Sequence, residues 1–289
     1  MPVAIAIALL VLGSIAFHLL SPWWRTPIAS NWGSIDSALD ITLWICATAF
    51  VLLNLFLAHS LMRYRHRPGH RAHYEPENTS LEKRLTFWTA IGIIGMLAPG
   101  LIAWGKYVNV PRDAAIVEAL GQQWQWSFRL PGPDGVLGAA GIKHMTPDNT
   151  FGLDPLDPFG RDDILVETNE LHLPLGRPVK MVLRSKDVLH DFYVPEFRAK
   201  MDLVPGLVTY FWMTPTRKGK FDILCAELCG VGHHEMRGTV VVDSPRDFDV
   251  WLAQQSSFGQ LLAEATPAAR TALFDTANVC TSPALERTR

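Results

Sequence analysis

The segment Cys225-Ala-Glu227-Leu-Cys229-Gly-Val-Gly-His233-His234-Glu-Met236 gathers two thiols, an imidazole and a thioether within twelve residues. A further imidazole, His190, closes the run Ser185-Lys-Asp187-Val-Leu-His190, 35 residues before Cys225. Thiolate with imidazole suits zinc, copper or iron, whereas a thioether is a poor ligand for zinc and a good one for copper. A mononuclear blue-copper centre uses one cysteine. Two cysteines allow two coppers bridged by both sulfurs, each completed by one histidine. Electrons then delocalise over the pair, little geometry changes on redox cycling, and fast electron transfer is favoured. Two other readings use the same residues. A zinc Cys2His2 site would leave Met236 without a role, and an oxidising compartment would permit a Cys225–Cys229 disulfide.

Such ligands need a stiff scaffold, and the surrounding pattern supplies β structure. From about Val117 onward, short alternating runs are bounded by Gly and Pro. Residues 179–184 put Val179, Met181 and Leu183 on one face. Residues 221–225 align Phe221, Ile223 and Cys225 in the same way. Phe192-Tyr193-Val194 reads as a strand beside His190, and residues 238–242 as a closing one. These runs predict a β-sandwich or barrel, and His, Cys and a weak Met on such a frame describe a cupredoxin-like copper site. Residues 247–262 read as a short helix, and the chain after Ala265 as a fraying tail. Residues 131–163 are rich in Gly, Pro, Asn and Asp and read as a long irregular insertion, functional or disordered. Its aspartates at 134, 148, 154, 157, 162 and 163 lack the ordered spacing of an EF-hand calcium loop.

The chain ahead of this domain has a different composition. The 289 residues are 48% hydrophobic, and the excess lies in the first 105. Residues 3–20, 41–62 and 85–104 carry no charge, and about 20 apolar residues are needed to cross a bilayer. The latter two segments meet that length. The first reads as a retained span or as the apolar part of a signal peptide; the lack of a charged leader and of a clear cleavage site favours the span. Pro99 falls late in the third segment, where a kink is tolerated. Tryptophans at 23, 24, 32, 44, 88 and 104 fall near expected interfaces. Between the second and third segments stand Arg63, Arg65, Arg67, Arg71, Lys83 and Arg84. Positive loops stay in the cytoplasm, so everything after Lys106 is expected on the outer face. His66, His70 and His73 read as members of a solvated basic loop. The formal net charge of −2 excludes the basic face of a nucleic-acid binder. Four cysteines are too few for a disulfide scaffold, and Cys46 and Cys280 have no obvious neighbours.

The copper-type motif, the upstream Asp-Val-Leu-His190 and the run Gly121-Gln-Gln-Trp124-Gln-Trp126-Ser together resemble subunit II of cytochrome c oxidase, over roughly residues 35–255. The resemblance implies a membrane-anchored all-β fold, with N-terminal transmembrane helices followed by a cupredoxin-like β-sandwich or barrel. It implies a binuclear CuA centre with Cys225 and Cys229 as bridges and His190 and His233 as terminal ligands. Met236 and the Glu227 carbonyl would be weak ligands on opposite coppers, and the Glu227 carboxylate would point to a magnesium ion shared with subunit I. Trp124 would receive electrons from cytochrome c, Asp187 would be an acidic docking position, and His234 would be a solvated bystander. Electrons would pass to the haem of subunit I, where O2 becomes water. The chain would sit in a bacterial inner membrane, multi-pass, with its C-terminal domain on the periplasmic face. The expected organisation is an apolar segment 1–22, a transmembrane hairpin 35–110, a copper domain 111–255 with its insertion 131–163, and a tail 256–289. Three features depart from the family pattern. The insertion is long, Glu82 is the nearest glutamate to Trp88-Thr89 where a proton path usually opens, and Cys280 is not part of a haem-attachment motif. Rival readings are the copper subunit of a nitric oxide reductase and a membrane-tethered copper carrier; a quinol oxidase subunit would need no such ligands.

Overall fold

A computed structural model describes residues 2–21, 25–71, 74–265 and 271. The chain forms two compact units, one of Met1–Pro27 and Gly33–Lys106, the other of Ile28–Trp32 and Tyr107–Arg289. The first unit holds three helices: α1 Pro2–Leu20, α2 Gly33–Arg63 and α3 Thr79–Val108. All three are long and apolar enough to cross a membrane, though α1, at 1.5 Å per residue, only just reaches the ~30 Å of hydrocarbon. Polar side chains on α2 bond within the helix: Asn54 Nδ2 donates to Phe50 O at 2.8 Å and Thr42 Oγ1 to Ala38 O at 2.9 Å. That is the economical way to satisfy a polar group where no water is present. Pro99 lies inside α3 without ending it. Trp44, Trp88 and Trp104 are exposed on these helices; Trp23 and Trp24 lie outside the described residues.

Among the described residues the second unit is a sandwich of ten strands: β1 Ala115–Gln122, β2 Gln125–Leu130, β3 Ile164–Val166, β4 Glu170–Pro174, β5 Val179–Ser185, β6 His190–Val194, β7 Ala199–Leu203, β8 Thr209–Met213, β9 Gly219–Cys225 and β10 Arg237–Asp243. One sheet has the order β3-β2-β1-β5-β8 and the other β4-β10-β9-β6-β7. Two pairings, β1 with β5 and β4 with β10, are parallel. The expected alternation holds on β5, where Val179, Met181 and Leu183 are buried, and on β9, where Phe221 and Ile223 are. Phe192, Phe211, Leu171, Leu173 and Val240 join them in the core. The helix expected over 247–262 is two helices, α4 Pro245–Leu252 and α5 Phe258–Glu264. Ser257 interrupts it with a capping box, its hydroxyl accepting from Gln260 N while Gln260 Oε1 accepts from Ser257 N. The tail beyond lies, apart from Ala265 and Thr271, outside the described residues, and with it Cys280.

Two parts of the sandwich come from unexpected places. Ile28–Trp32 belongs to it, although it precedes α2. Ala29 N donates to Glu196 O, Thr216 N to Ala29 O, and Ser30 Oγ to Phe197 O at 2.7 Å. Trp32, expected from sequence to be an interfacial tryptophan, is instead buried, edge-on to Trp212 and donating to its carbonyl through Nε1. The 131–163 insertion is also packed. Phe151 and Leu153 are fully buried with Leu120 and Phe258. Its aspartates cap their own turns: Asp134, Asp154 and Asp157 accept from the backbone N–H of Val136, Leu156 and Phe159, and Asp162 from that of Asp134. These bonds occupy carboxylate oxygens that a calcium loop would turn toward a cation.

An ion network locks the insertion to the sheet. Arg129 of β2 donates through Nε to Glu118 of β1 at 2.6 Å and through Nη1 to Asp163 at 2.8 Å and Gly138 O at 2.9 Å. Arg184 of β5 donates to the other oxygen of Glu118 at 2.8 Å and to Phe151 O. Arg129, Glu118 and Asp163 are all within a few per cent of complete burial, so each charge depends on its partners. Burial pushes the Asp163 carboxyl up to about 6 against the opposing pull of Arg129. Arg129→Met is expected to lower stability by about 3–5 kcal/mol, the usual result of leaving a buried charge unpaired, and to open residues 131–163 to protease. The double variant Arg129→Met/Asp163→Asn should recover part of that loss. Denaturant midpoints and limited proteolysis of the full chain check this; an unchanged midpoint would mean the insertion is not held by the network.

Candidate metal centre

β6 begins at His190 and β9 ends at Cys225, and the two strands are paired with Phe192 opposite Cys225. The pairing sets the first imidazole beside the first thiol. Past Cys225 the chain leaves the sheet and returns at Arg237, which pairs with Leu224. Cys229, His233 and Met236 are carried on that excursion. A 3-10 turn at His233–Glu235, with Met236 N donating to His233 O, folds it back.

The donor atoms converge. Cys225 Sγ lies 3.8 Å from Cys229 Sγ, 3.9 Å from His190 Nδ1 and 3.2 Å from Glu227 O. Cys229 Sγ lies 3.5 Å from His233 Nδ1 and 3.9 Å from Met236 Sδ. His190, Cys225 and Cys229 form the one such His/Cys/carboxylate cluster found among the described residues. His190 is 0%, Met236 1% and Cys229 3% exposed, while Cys225 is half-buried. The far nitrogen of His190, Nε2, meets Asp187 Oδ1 at 2.8 Å. That bond orients the ring and leaves Nδ1 toward the sulfurs, the arrangement that carboxylates impose on metal-binding histidines. Two thiols, two imidazole nitrogens and a thioether in one pocket fit copper, and Met236, which a zinc site would strand, is in the cluster.

The thiols differ. Burial alone would raise Cys225, but hydrogen bonds with His190, the Asp191 and Glu227 backbone and Cys229 outweigh it and bring it down to about 6. Burial, reinforced by the neighbouring Cys225, pushes Cys229 up to about 11. Burial would lower His190, yet Cys225 and Asp187 hold it above the usual range. Asp187 is kept below its usual range, despite burial, by the Gln123 N–H, by His190 and by the Val188 N–H.

The family profile described as "Cytochrome C oxidase subunit II, periplasmic domain" matches residues 115–244. The alternative cytochrome c oxidase subunit 2 of Bradyrhizobium diazoefficiens is 54% identical over 261 residues, covering 90% of this chain and 94% of that protein. The chain belongs to the cytochrome c oxidase subunit II family. The subunit 2 of Thermostichus vulcanus is 30% identical, over 77% of this chain and 75% of that one. A solved periplasmic domain of subunit II (CoxB) of Bradyrhizobium japonicum is 27% identical, over 50% of this chain and 95% of that one, with a TM-score of 0.37.

Within this subunit II chain the two tryptophans of the Gly-Gln-Gln-Trp-Gln-Trp run part company. Trp126 is fully buried, edge-on to Phe192 and His190. Trp124 is 37% exposed and sits at the tip of the β1–β2 hairpin, where Gln122 pairs with Gln125. Its indole lies on the metal-binding loop so closely that a Cβ at Gly232 would stand 2.5 Å from Trp124 Cδ2. Glu227 is half-buried, and His234 is exposed beside Glu235. The Asp187 carboxylate is bonded to Gln123 N, Val188 N and His190, so it braces the His190 ring as well as standing partly exposed. Sequence reasoning missed that bracing; the signal was the three-residue spacing of Asp187 from His190.

Metal-free chain should show the thiol asymmetry directly. Because the thiolate is the nucleophile and hydrogen bonds hold Cys225 well below the usual thiol range, its alkylation should already be rapid at pH 7. Cys229, buried and held above the usual thiol range chiefly by that burial, should react far more slowly at the same pH. Mass mapping of alkylated peptides against pH checks this, and equal rates at pH 7 would refute the asymmetry.

Proposed function

We propose that this chain is the electron-accepting subunit of a respiratory cytochrome c oxidase, taking electrons from cytochrome c at a binuclear copper centre and passing them to the haem of subunit I for reduction of O2 to water. The observation that carries the reading is the convergence of Cys225, Cys229, His190, His233 and Met236 in one largely buried pocket. Cys225 and Cys229 would bridge the two coppers, His190 and His233 would be the terminal ligands, and Met236 and the Glu227 carbonyl the weak ones. When bound, the copper pair supplies a one-electron relay; the protein sets its ligands and surroundings. The Glu227 carboxylate would face a magnesium ion shared with subunit I.

The residues here stabilise, orient and exclude water. His190, Met236 and Cys229 are closed off from solvent, which suits a retained relay and disfavours a copper carrier, whose ligands must be reached by a partner. Trp124, exposed on one side and resting on the ligand loop on the other, is the point at which donor electrons enter. Leu228 and Val231 stand exposed on the same loop and offer an apolar contact, while Asp187 adds negative charge to steer a basic donor. The three apolar helices suit anchoring in a bacterial inner membrane, and the arginine-rich 63–71 loop supports a periplasmic copper domain.

Purified oxidase should contain two coppers in this subunit and show a mixed-valence spectrum with a seven-line electron paramagnetic resonance pattern. Cys229→Ser should abolish that pattern, because one thiolate cannot bridge both metals symmetrically; a wild-type subunit holding one copper or only zinc would overturn the assignment. Trp124→Phe should keep the copper spectrum, since no ligand is touched and the volume change is modest. Turnover with cytochrome c should fall by orders of magnitude, while a small reductant that reaches the metal directly should be unaffected. Equal slowing with both donors would make Trp124 a packing residue.

A further inference from the structure

The two-residue turn that presents Trp124 also contains Gln123. Gln123 Nε2 donates to the carbonyl oxygen of Cys229 at 2.7 Å, and its backbone N–H donates to Asp187 Oδ2 at 2.7 Å. The other oxygen of Asp187 meets His190 Nε2 at 2.8 Å. One residue therefore links the Cys229 loop to His190, two ligand segments that arrive from different strands. The fit is close: at Gly230 the backbone sits at φ +126, and a Cβ there would stand 2.9 Å from Gln123 Nε2 and 3.2 Å from the Trp124 ring.

We propose that Gln123 is a positioning residue of the metal centre, its side-chain amide fixing the Cys229 segment and its backbone N–H fixing the Asp187–His190 pair. The inference rests on the proposed metal centre. A bridging cysteine on a free loop has two soft freedoms, sliding along the loop axis and rotating about its own Cα–Cβ bond. The 3-10 turn holds the far half of the loop through His233 N to Gly230 O and Met236 N to His233 O. Gln123 holds the near half at the carbonyl of the bridging residue itself. The geometry also couples the centre to the electron-accepting surface. The turn cannot shift Trp124 without pulling on Cys229 and Asp187, so the indole and both ligand segments keep a fixed relation.

Two near-isosteric variants separate this role from packing. Gln123→Met keeps the bulk and removes the donor. Gln123→Glu keeps the shape and sets a carboxylate against a carbonyl oxygen. The backbone bond to Asp187 survives in both. In the purified oxidase, copper release to a chelator should be about five- to tenfold faster in Gln123→Met, the effect of losing one net hydrogen bond, and faster again in Gln123→Glu. The hyperfine splittings of the copper spectrum should change in the same order. In metal-free chain the alkylation rate of Cys229 should rise by a similar factor while that of Cys225 stays near the wild-type rate. A packing role predicts that both isosteres match wild type. If wild type holds the copper pair and both variants match it in release rate and spectrum, Gln123 has no positioning role. If wild type holds no copper pair, the proposed metal centre fails instead. The metal-free measurement then still decides on Gln123: unchanged protection of Cys229 in both variants overturns the link.

Discussion

The pairing of β6 with β9 is the contact on which the rest depends. Opposing Phe192 to Cys225 fixes the height of His190 relative to the first thiol, and the other donors of the cluster, Cys229, His233 and Met236, all lie on the excursion between β9 and β10. A slip of one residue would turn His190 out of the pocket, because side chains alternate along a strand. The core guards against that slip. Phe192 packs edge-on to Trp126 and against Phe211, so the register that buries the aromatic also aims the imidazole. Apolar burial sets the geometry, and the polar ligands are carried along by it.

The polar interior obeys a different logic. Charges at Arg129, Glu118 and Asp163 are tolerated in the core because each is answered by another: Glu118 by Arg129 and Arg184, and Arg129 and Asp163 by one another and by the Gly138 backbone. An apolar replacement of the whole set could be as stable, so the network is better understood through what it joins. Glu118 and Arg184 lie on β1 and β5, the strands that run on to the Gln123–Trp124 turn and to Asp187. The insertion packs on the same sheet through Phe151 and Leu153 beside Leu120. The network therefore stiffens the sheet at the point from which the turn reaches toward the metal centre.

Much of this was legible in the chain, and the reasons differ by element. Strands β5 and β9 declared themselves because one face is wet and the other dry, so composition alternates. The cluster of soft donors was legible because two thiols, an imidazole and a thioether at such close spacing have few other uses. The insertion hid its packing: its buried side chains, among them His144, Asn149, Phe151, Leu153 and Asp163, alternate over 149–153 but keep no period across the insertion as a whole, since irregular backbone buries whichever side chains its turns happen to point inward. The Ile28–Trp32 strap was invisible for another reason. Its partners Phe197, Trp212 and Thr214 lie more than 160 residues away in sequence, and five residues of mixed character between two apolar segments read as linker. The division of 247–262 was within reach, since Ser257 and Gln260 have the spacing of a capping box. The brace of Asp187 on His190 lay between the two, as spacing suggested proximity but not which ring nitrogen would be held.

The metal-binding loop meets two requirements that pull against each other. Long excursions from a sheet lose the ladder that holds strands still, yet this one holds the His233 and Met236 donor atoms 3.5 and 3.9 Å from the Cys229 sulfur. Glycines resolve the conflict. Gly230 and Gly232 leave no side chain between the loop and the hairpin, so Trp124 and Gln123 approach the backbone itself. Contact at that range converts a flexible segment into one clamped from both sides, by the 3-10 turn within and by the hairpin without. An alanine at Gly232 would have to displace the indole to relieve a 2.5 Å contact, and the displacement would be felt at Cys229 through Gln123. The residues without side chains are thus as much a part of the centre as the ones that carry the donors.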